Sequence, residues 1–242
     1  MTPSLPSTHA ARQAILGALS RSSDAAPLRP TPDLGPYHAG PYGRGRLGER
    51  PSPAGLVQDF IKAARAWRAE VLQAEPSTWP QAVRQALVQR GCQQVLIGQD
   101  SELQPELQAA LDGLQVRRYD QPLQSWKHEL FGQIQAGVTS SAAGVADTGT
   151  LVLWPSPGEP RTLSLIPPVH VAVLRASRLY ASLPAAVAAL QPQGRMPTNL
   201  LLVTGPSKTA DIQQVLAYGA HGPKELIIVL VDDLQADGEQ PR

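Results

Sequence analysis

Two short apolar blocks, each preceded by a helical pattern, constrain the fold of this chain more than any other feature. Pro80 opens a helical stretch that runs to Gln89, and Gly91 stops it. Val95, Leu96 and Ile97 then read as a short buried strand. Residues 104–111 repeat the helical spacing, and residues 116–119 form a second strand. Parallel neighbours need a long crossover, and a helix supplies it. Helix, strand, helix, strand therefore indicates a parallel sheet covered by helices. The expected fold class is α/β, a Rossmann-like three-layer sandwich around a mixed, mostly parallel sheet.

The flanking segments extend this pattern. Val57, Phe60, Ile61, Ala64, Trp67, Val71 and Leu72 keep helical spacing, which predicts one long amphipathic helix over 56–72. Residues 9–19 predict a short helix. Residues 22–53 are rich in proline and glycine and predict no packed element. They read as a linker, or as an arm that docks through Tyr37, Tyr42, Arg44 and Arg46. The expected division is an N-terminal helix plus arm over 1–54 and an α/β domain over 55–242. In the middle, residues 151–154, 163–166 and 169–174 read as closely spaced strands, which argues for an antiparallel or mixed portion of the sheet. An alanine-rich helix follows over 184–190.

The C-terminal third carries the densest motif. The apolar run 200–203 leads into Thr204, Gly205, Pro206, Ser207, Lys208, Thr209, Ala210 and Asp211. An amphipathic stretch, then His221, Gly222 and Pro223, and a second apolar run over 226–231 complete it. This spacing predicts a βαβ unit whose loop opens a helix. Free N–H groups and the helix dipole favour an anion at such a place. Ser207 and Thr209 add hydroxyls, and Lys208 adds charge. The glycine and lysine spacing is not that of a Walker A loop.

Charge and cysteine content narrow the function. Twenty-one basic residues face twenty acidic ones, so the net charge is +1, with no basic block suited to nucleic acid. The apolar runs are too short to span a bilayer, and no signal peptide is recognised near His9 and Arg12. The one cysteine, Cys92, cannot form an intramolecular disulfide or supply the ligands of an iron–sulfur cluster. Cys92 reads as a small core residue, and a reducing cytoplasmic setting fits.

A second candidate segment is Asp147-Thr148-Gly149-Thr150, which follows a run of small residues. Gly149 permits positive φ, and Asp147 is a candidate base, nucleophile or hydrogen-bond acceptor. The plainer reading makes Asp147 and Thr148 turn caps. In the same way Ser207 or Thr209 reads as a helix cap, and Asp211 as a first-turn carboxylate suited to the dipole. His221 fits a helix C-terminus or a cleft, where it is an acid–base candidate. His170 reads as a hydrogen-bonded structural histidine. The histidine spacing matches no zinc motif, and no metal site is expected. Trp67, Trp79 and Trp126 read as core or helix-packing residues, and Trp154 as the rim of a cleft.

Three segments together resemble the lactate-utilization protein C family, the LUD-domain proteins. They are the stretch from Gly144 to Leu151 around Asp147, the stretch from Thr204 to Ile212, and Gly219-Ala220-His221-Gly222-Pro223. The resemblance covers roughly residues 55 to 232. It implies a fold similar to the glucosamine-phosphate deaminase, ribose-phosphate isomerase and CoA-transferase group. It also implies a role in oxidising L-lactate to pyruvate beside partner proteins that carry iron–sulfur chemistry. The family usually has glutamate where this chain has Asp147, whose carboxylate reaches one methylene less far. In the distantly similar CoA transferases a glutamate before a glycine is the acyl nucleophile, so the shorter side chain argues against covalent chemistry.

The expectation is a non-redox accessory component of an L-lactate oxidation system, with no cofactor of its own. Its partners would be iron–sulfur lactate-utilization proteins and a small anionic ligand, with further copies of the chain left open. Asp147 and His221 are the acid–base candidates. Thr148, Gly149, Thr150, Gly205, Pro206, Ser207, Lys208, Thr209, Asp211 and Gly222 would line the ligand. The alternatives are a stand-alone enzyme on a phosphorylated, CoA-linked or folate-type substrate, and a structural scaffold for the iron–sulfur proteins.

Overall fold

The computed structural model of the chain describes residues 8–24, 52–99, 101–190, 199–210, 216–219 and 221–234. The proline-rich segment over 25–51 lies outside the described residues, as do Asp211 and the rest of 211–215. Helix α1, Thr8–Asp24, belongs to one compact unit, Met1–Gly40. The α/β elements belong to a second unit, Pro41–Arg242.

In that second unit the elements run α2 Pro53–Ala66, β1 Glu70–Ala74, α3 Trp79–Gln89, β2 Gln94–Gly98, α4 Gln104–Ala110 and β3 Gln115–Tyr119. Next come α5 Leu123–Gly132, β4 Ala136–Ser140, β5 Ala143–Val145, β6 Thr150–Leu153, α6 Arg161–Leu165 and β7 Val169–Arg175. A 3₁₀ turn over Ala176–Arg178 leads to β8 Leu179–Tyr180, α7 Leu183–Leu190, β9 Leu201–Val203, β10 Lys208–Ala210, β11 Leu216–Tyr218 and β12 Glu225–Val231.

Six strands form a sheet in the order β1-β12-β7-β4-β2-β3, and every pairing in it is parallel. Period-two alternation sends its side chains to two apolar layers. Ile227, Val229 and Val231 of β12 pack with Trp79, Val83 and Leu87 of α3 and Leu107 of α4. Leu226, Ile228 and Leu230 point the other way, onto Phe60 and Ala64 of α2. At the β2 end, Leu96 joins Trp126 and Leu130 of α5 and Leu163 of α6. This is a three-layer α/β sandwich. Cys92 is buried in the first layer, and burial pushes its thiol up from the ordinary range.

The antiparallel character sits in a second sheet, β8-β5-β6-β9, where β6 pairs antiparallel with β5 and β9. Several expectations are corrected here. The long helix over 56–72 ends at Ala66. Arg68 takes φ 66° and Val71 enters a strand, where its burial serves the sheet. The strand expected at 163–166 is the short helix α6, which starts after Pro160 and buries Leu163. The βαβ unit expected over 200–231 does not form among the described residues. β9 belongs to the second sheet, β10 and β11 pair as an antiparallel hairpin, and β12 lies between β1 and β7. Because Lys208–Ala210 is a strand, neither Ser207 nor Thr209 caps a helix there. Of the tryptophans read as core or helix-packing, Trp79 and Trp126 are buried, and Trp67 is 46% exposed at the end of α2.

Candidate functional site

The two expected segments meet through Thr150 and Thr204, though not where a parallel sheet usually holds its ligand, and Asp211 lies outside the described residues. Thr148 Oγ1 lies 2.7 Å from Thr150 Oγ1, which lies 2.7 Å from Thr204 Oγ1. This hydroxyl chain joins the 147–150 turn to the segment after β9. Asp147 is exposed on the turn, and its N–H donates to Ala181 O at 3.2 Å. Gly149 has φ 64°, and a Cβ there would press into the backbone of Ala63 and Ala64 in α2. Gly205 has φ 81° and abuts the Trp67 carbonyl in the same manner. Both glycines are therefore required by close approach to the end of α2.

Pro206 leads on to Ser207, whose N–H donates to Pro223 O and whose carbonyl accepts from Gly219 N, both at 2.9 Å. That N–H is thus engaged within the protein. Gly222 backs onto Ser207, where a Cβ would lie 3.1 Å from the serine Cβ. His221 is exposed beside it. The Lys208 ammonium stands 4.3 Å from the centre of the Trp67 ring, a cation–π distance. It also lies at the carboxyl end of α2, where the helix dipole favours a cation. Thr209 pairs with Ala217 in the hairpin.

Every landmark of this cluster borders the amino ends of the parallel strands. α2 runs from Trp67 into the start of β1, Ser207 bonds Pro223 just before β12, and Lys224 N–H bonds Pro168 O just before β7. The expectation that these loops share a crevice at the strands' carboxyl ends fails, because β9 is not a strand of that sheet.

The carboxyl ends hold a different group, which sequence reasoning missed. Leaving β2, the chain builds β3 on one side and then crosses to β4 on the other. The reversal leaves a crevice at the ends of β2 and β4. Glu159 enters it. Its Oε2 accepts from Ser140 N–H at 3.1 Å and Ser140 Oγ at 2.7 Å, and its Oε1 accepts a short hydrogen bond from Ser101 Oγ. From the loop after β7, Arg178 reaches Glu102 at 2.8 Å and the Ser141 carbonyl at 3.4 Å. Nearby, His170 is fully buried, and its Nε2 lies 2.8 Å from Thr139 Oγ1. Desolvation pushes that imidazole down to about 4, so it is neutral near pH 7.

A model of the LUD domain matches residues 57–231. The chain belongs to the LUD-domain family. An uncharacterized protein of Neisseria meningitidis serogroup B is 37% identical to this LUD protein over 224 residues, covering 91% of this chain and 93% of that one. Lactate utilization protein C of Shouchella clausii is 36% identical over 100 residues, 40% of this chain and 44% of that protein. Its counterpart in Halalkalibacterium halodurans is 27% identical over 183 residues, 74% and 80% of the two chains. The crystal structure of a DUF162 family protein from Deinococcus radiodurans superposes with a TM-score of 0.58 at 24% identity, over 74% of this chain and 98% of that one. The fold is therefore shared with that protein. Among the described residues of the LUD chain, no helix is long and apolar enough to cross a membrane, and no three His, Cys, Asp or Glu side chains gather to hold a metal.

Proposed function

We propose that this LUD protein is a non-redox component of an L-lactate oxidation system that binds a small anion, beside partner proteins carrying the iron–sulfur chemistry. The names of its relatives support the metabolic setting. The single Cys92 supports the division of labour, since one buried thiol cannot ligate a cluster. The anion would lie at the open side of the motif cluster, by Ser207, Lys208, His221 and Gly222, with Asp147 and Thr148 on the neighbouring turn. The observation that carries this reading is the Thr148–Thr150–Thr204 hydroxyl chain, which ties the two motif segments together. The Lys208 ammonium beside them is the positive charge an anion needs.

Calorimetric titration of the full chain with inorganic phosphate tests the site. A charge-assisted hydrogen bond is worth roughly 1.5–3 kcal/mol. Ser207→Ala and Lys208→Ala should each weaken binding about tenfold or more at that scale. Ser207→Ala should leave the melting temperature unchanged, because Ser207 caps no helix. If phosphate does not bind, or both variants bind as the wild type does, the site assignment is wrong. A host lacking the gene should lose growth on L-lactate as sole carbon source and regain it with the wild-type chain.

A further inference from the structure

The Glu159 crevice lies apart from the motif cluster. Thr150 and Thr204 mark one end of the β6–β9 pair, while Leu153 and Leu201 at its other end line the cavity beside Glu159. Three residue steps along the strand separate the two ends, roughly 10 Å at about 3.3 Å per step.

Two glycines admit the carboxylate to this crevice. A Cβ on Gly98, the last residue of β2, would lie 2.5 Å from Glu159 Cγ and 2.8 Å from Gly158 O. A Cβ on Gly158 would collide with the Gln99 carbonyl. The loop before α6 can press onto the end of β2 only because both side chains are missing. Three donors then fix the carboxylate: Ser140 N–H, Ser140 Oγ and Ser101 Oγ. A carboxylate has about four acceptor positions, so capacity for about one further donor remains.

Beside it is a cavity of about 10 Å³, lined by the hydroxyl-bearing Thr139, Ser140 and Ser164, with Trp154, Glu159 and Arg161. This is room for one water-sized group. Arg161 is exposed and belongs to the lining of the same cavity. One fixed acceptor, space for a hydroxyl and an exposed cation suit a molecule with an O–H at one end and a negative charge at the other. One carboxylate with hydroxyls is a poor cage for a cation, and no three-residue metal-ligating group exists among the described residues.

We propose that the crevice between the ends of β2 and β4 binds a small 2-hydroxy acid, whose hydroxyl donates to Glu159 and whose carboxylate pairs with Arg161. The ligand's hydroxyl enters the cavity, and its carboxylate remains at the mouth. Gly98 is a positioning residue that lets Glu159 reach the crevice. The site is independent of the motif cluster, and the same ligand class links it to lactate chemistry only if the reading above holds.

The test is a titration of the full-length, isotope-labelled chain with L-lactate and with pyruvate, following the backbone amide signals of Gly98, Ser101 and Ser140. L-lactate should shift them at concentrations at least tenfold below those pyruvate needs, since pyruvate has no O–H to donate. Arg161→Ala, a change at an exposed residue, should raise the L-lactate midpoint tenfold or more. Glu159→Ala should abolish the response, while Lys62→Ala, at an exposed position of α2 outside both sites, should leave it unchanged. The proposal is overturned if L-lactate leaves these signals in place, if pyruvate matches it, or if Arg161→Ala titrates as the wild type does. Loss of the response in Ser207→Ala would move the ligand to the motif cluster. Failure of phosphate binding there would leave this result standing.

Discussion

Burial holds the His170 imidazole neutral, down at about 4 against an ordinary 6.5. The unfolded chain binds a proton at this residue between those two values, and the folded chain does not. Stability from this group is therefore complete above about pH 6.5 and is lost as pH falls toward 4. At about 1.4 kcal/mol per pKa unit, the loss is on the order of a few kcal/mol. Replacing His170 by Leu together with Thr139 by Val removes both polar partners and leaves neither orphaned. Urea denaturation at pH 7 and pH 4.5 should show a smaller acid loss in the double variant than in the wild type; an equal loss would place its source elsewhere. Two glycines give a sharper contrast. Gly149 and Gly91 have nearly equal positive φ, 64° and 67°, but only Gly149 faces a neighbouring backbone. Gly91→Ala should cost about 1–2 kcal/mol, the penalty of the left-handed conformation alone. Gly149→Ala adds a clash with α2 and should cost roughly 1–3 kcal/mol more, a difference that melts of the two variants measure.

At the scale of elements, Ser52 caps α2 by accepting from Gly55 N–H at 3.1 Å, with Pro53 pre-set at the first helical position. Ser52→Ala should lower stability by about 1 kcal/mol, and Ser52→Asp should retain it; an unchanged melting temperature in Ser52→Ala would mean the cap contributes nothing. Elements with one period and clear punctuation were legible in the sequence: α3 with Pro80 and Gly91 at its ends, β2, α4 and β3 all lie within a residue or two of expectation. Where two periods overlap, the sequence misleads. Val71 and Leu72 continue the helical spacing of α2, yet parallel pairing with Ile228 and Val229 claims them for β1. The 200–231 region fails for another reason. Apolar runs identify strands but carry no partner, so β9 and β12 read as neighbours when they join different sheets. Glu159 was illegible because its meaning is long-range. In sequence it is one residue of a Pro- and Gly-rich turn, and its partners Ser101 and Ser140 lie 58 and 19 positions away. The two motif segments were legible as segments, but the contact of Thr150 with Thr204 at the amino edge of the sheet was not.

For the molecule as a whole, the central sheet couples the layers on its two faces. β12 alone supplies Ile227, Val229 and Val231 to one apolar layer and Leu226, Ile228 and Leu230 to the other. β2 likewise sends Val95 and Ile97 to the first layer and Leu96 to the layer under α5 and α6. No layer can lose its packing while these strands remain intact, because each strand is stabilised by burial on both faces. The α/β unit should therefore unfold in one cooperative transition, whatever α1 does by itself. Ile227 and Ile228 are adjacent, fully buried and point to opposite layers. Truncating either to Ala removes comparable apolar volume and should cost roughly 2–5 kcal/mol. Both variants should lower the same single transition by similar amounts, with calorimetric and van't Hoff enthalpies in agreement. If the layers were independent, Ile227→Ala would shift one transition and Ile228→Ala another. Differential scanning calorimetry of the two variants separates these outcomes, and two resolved transitions in either would refute the coupling through β12.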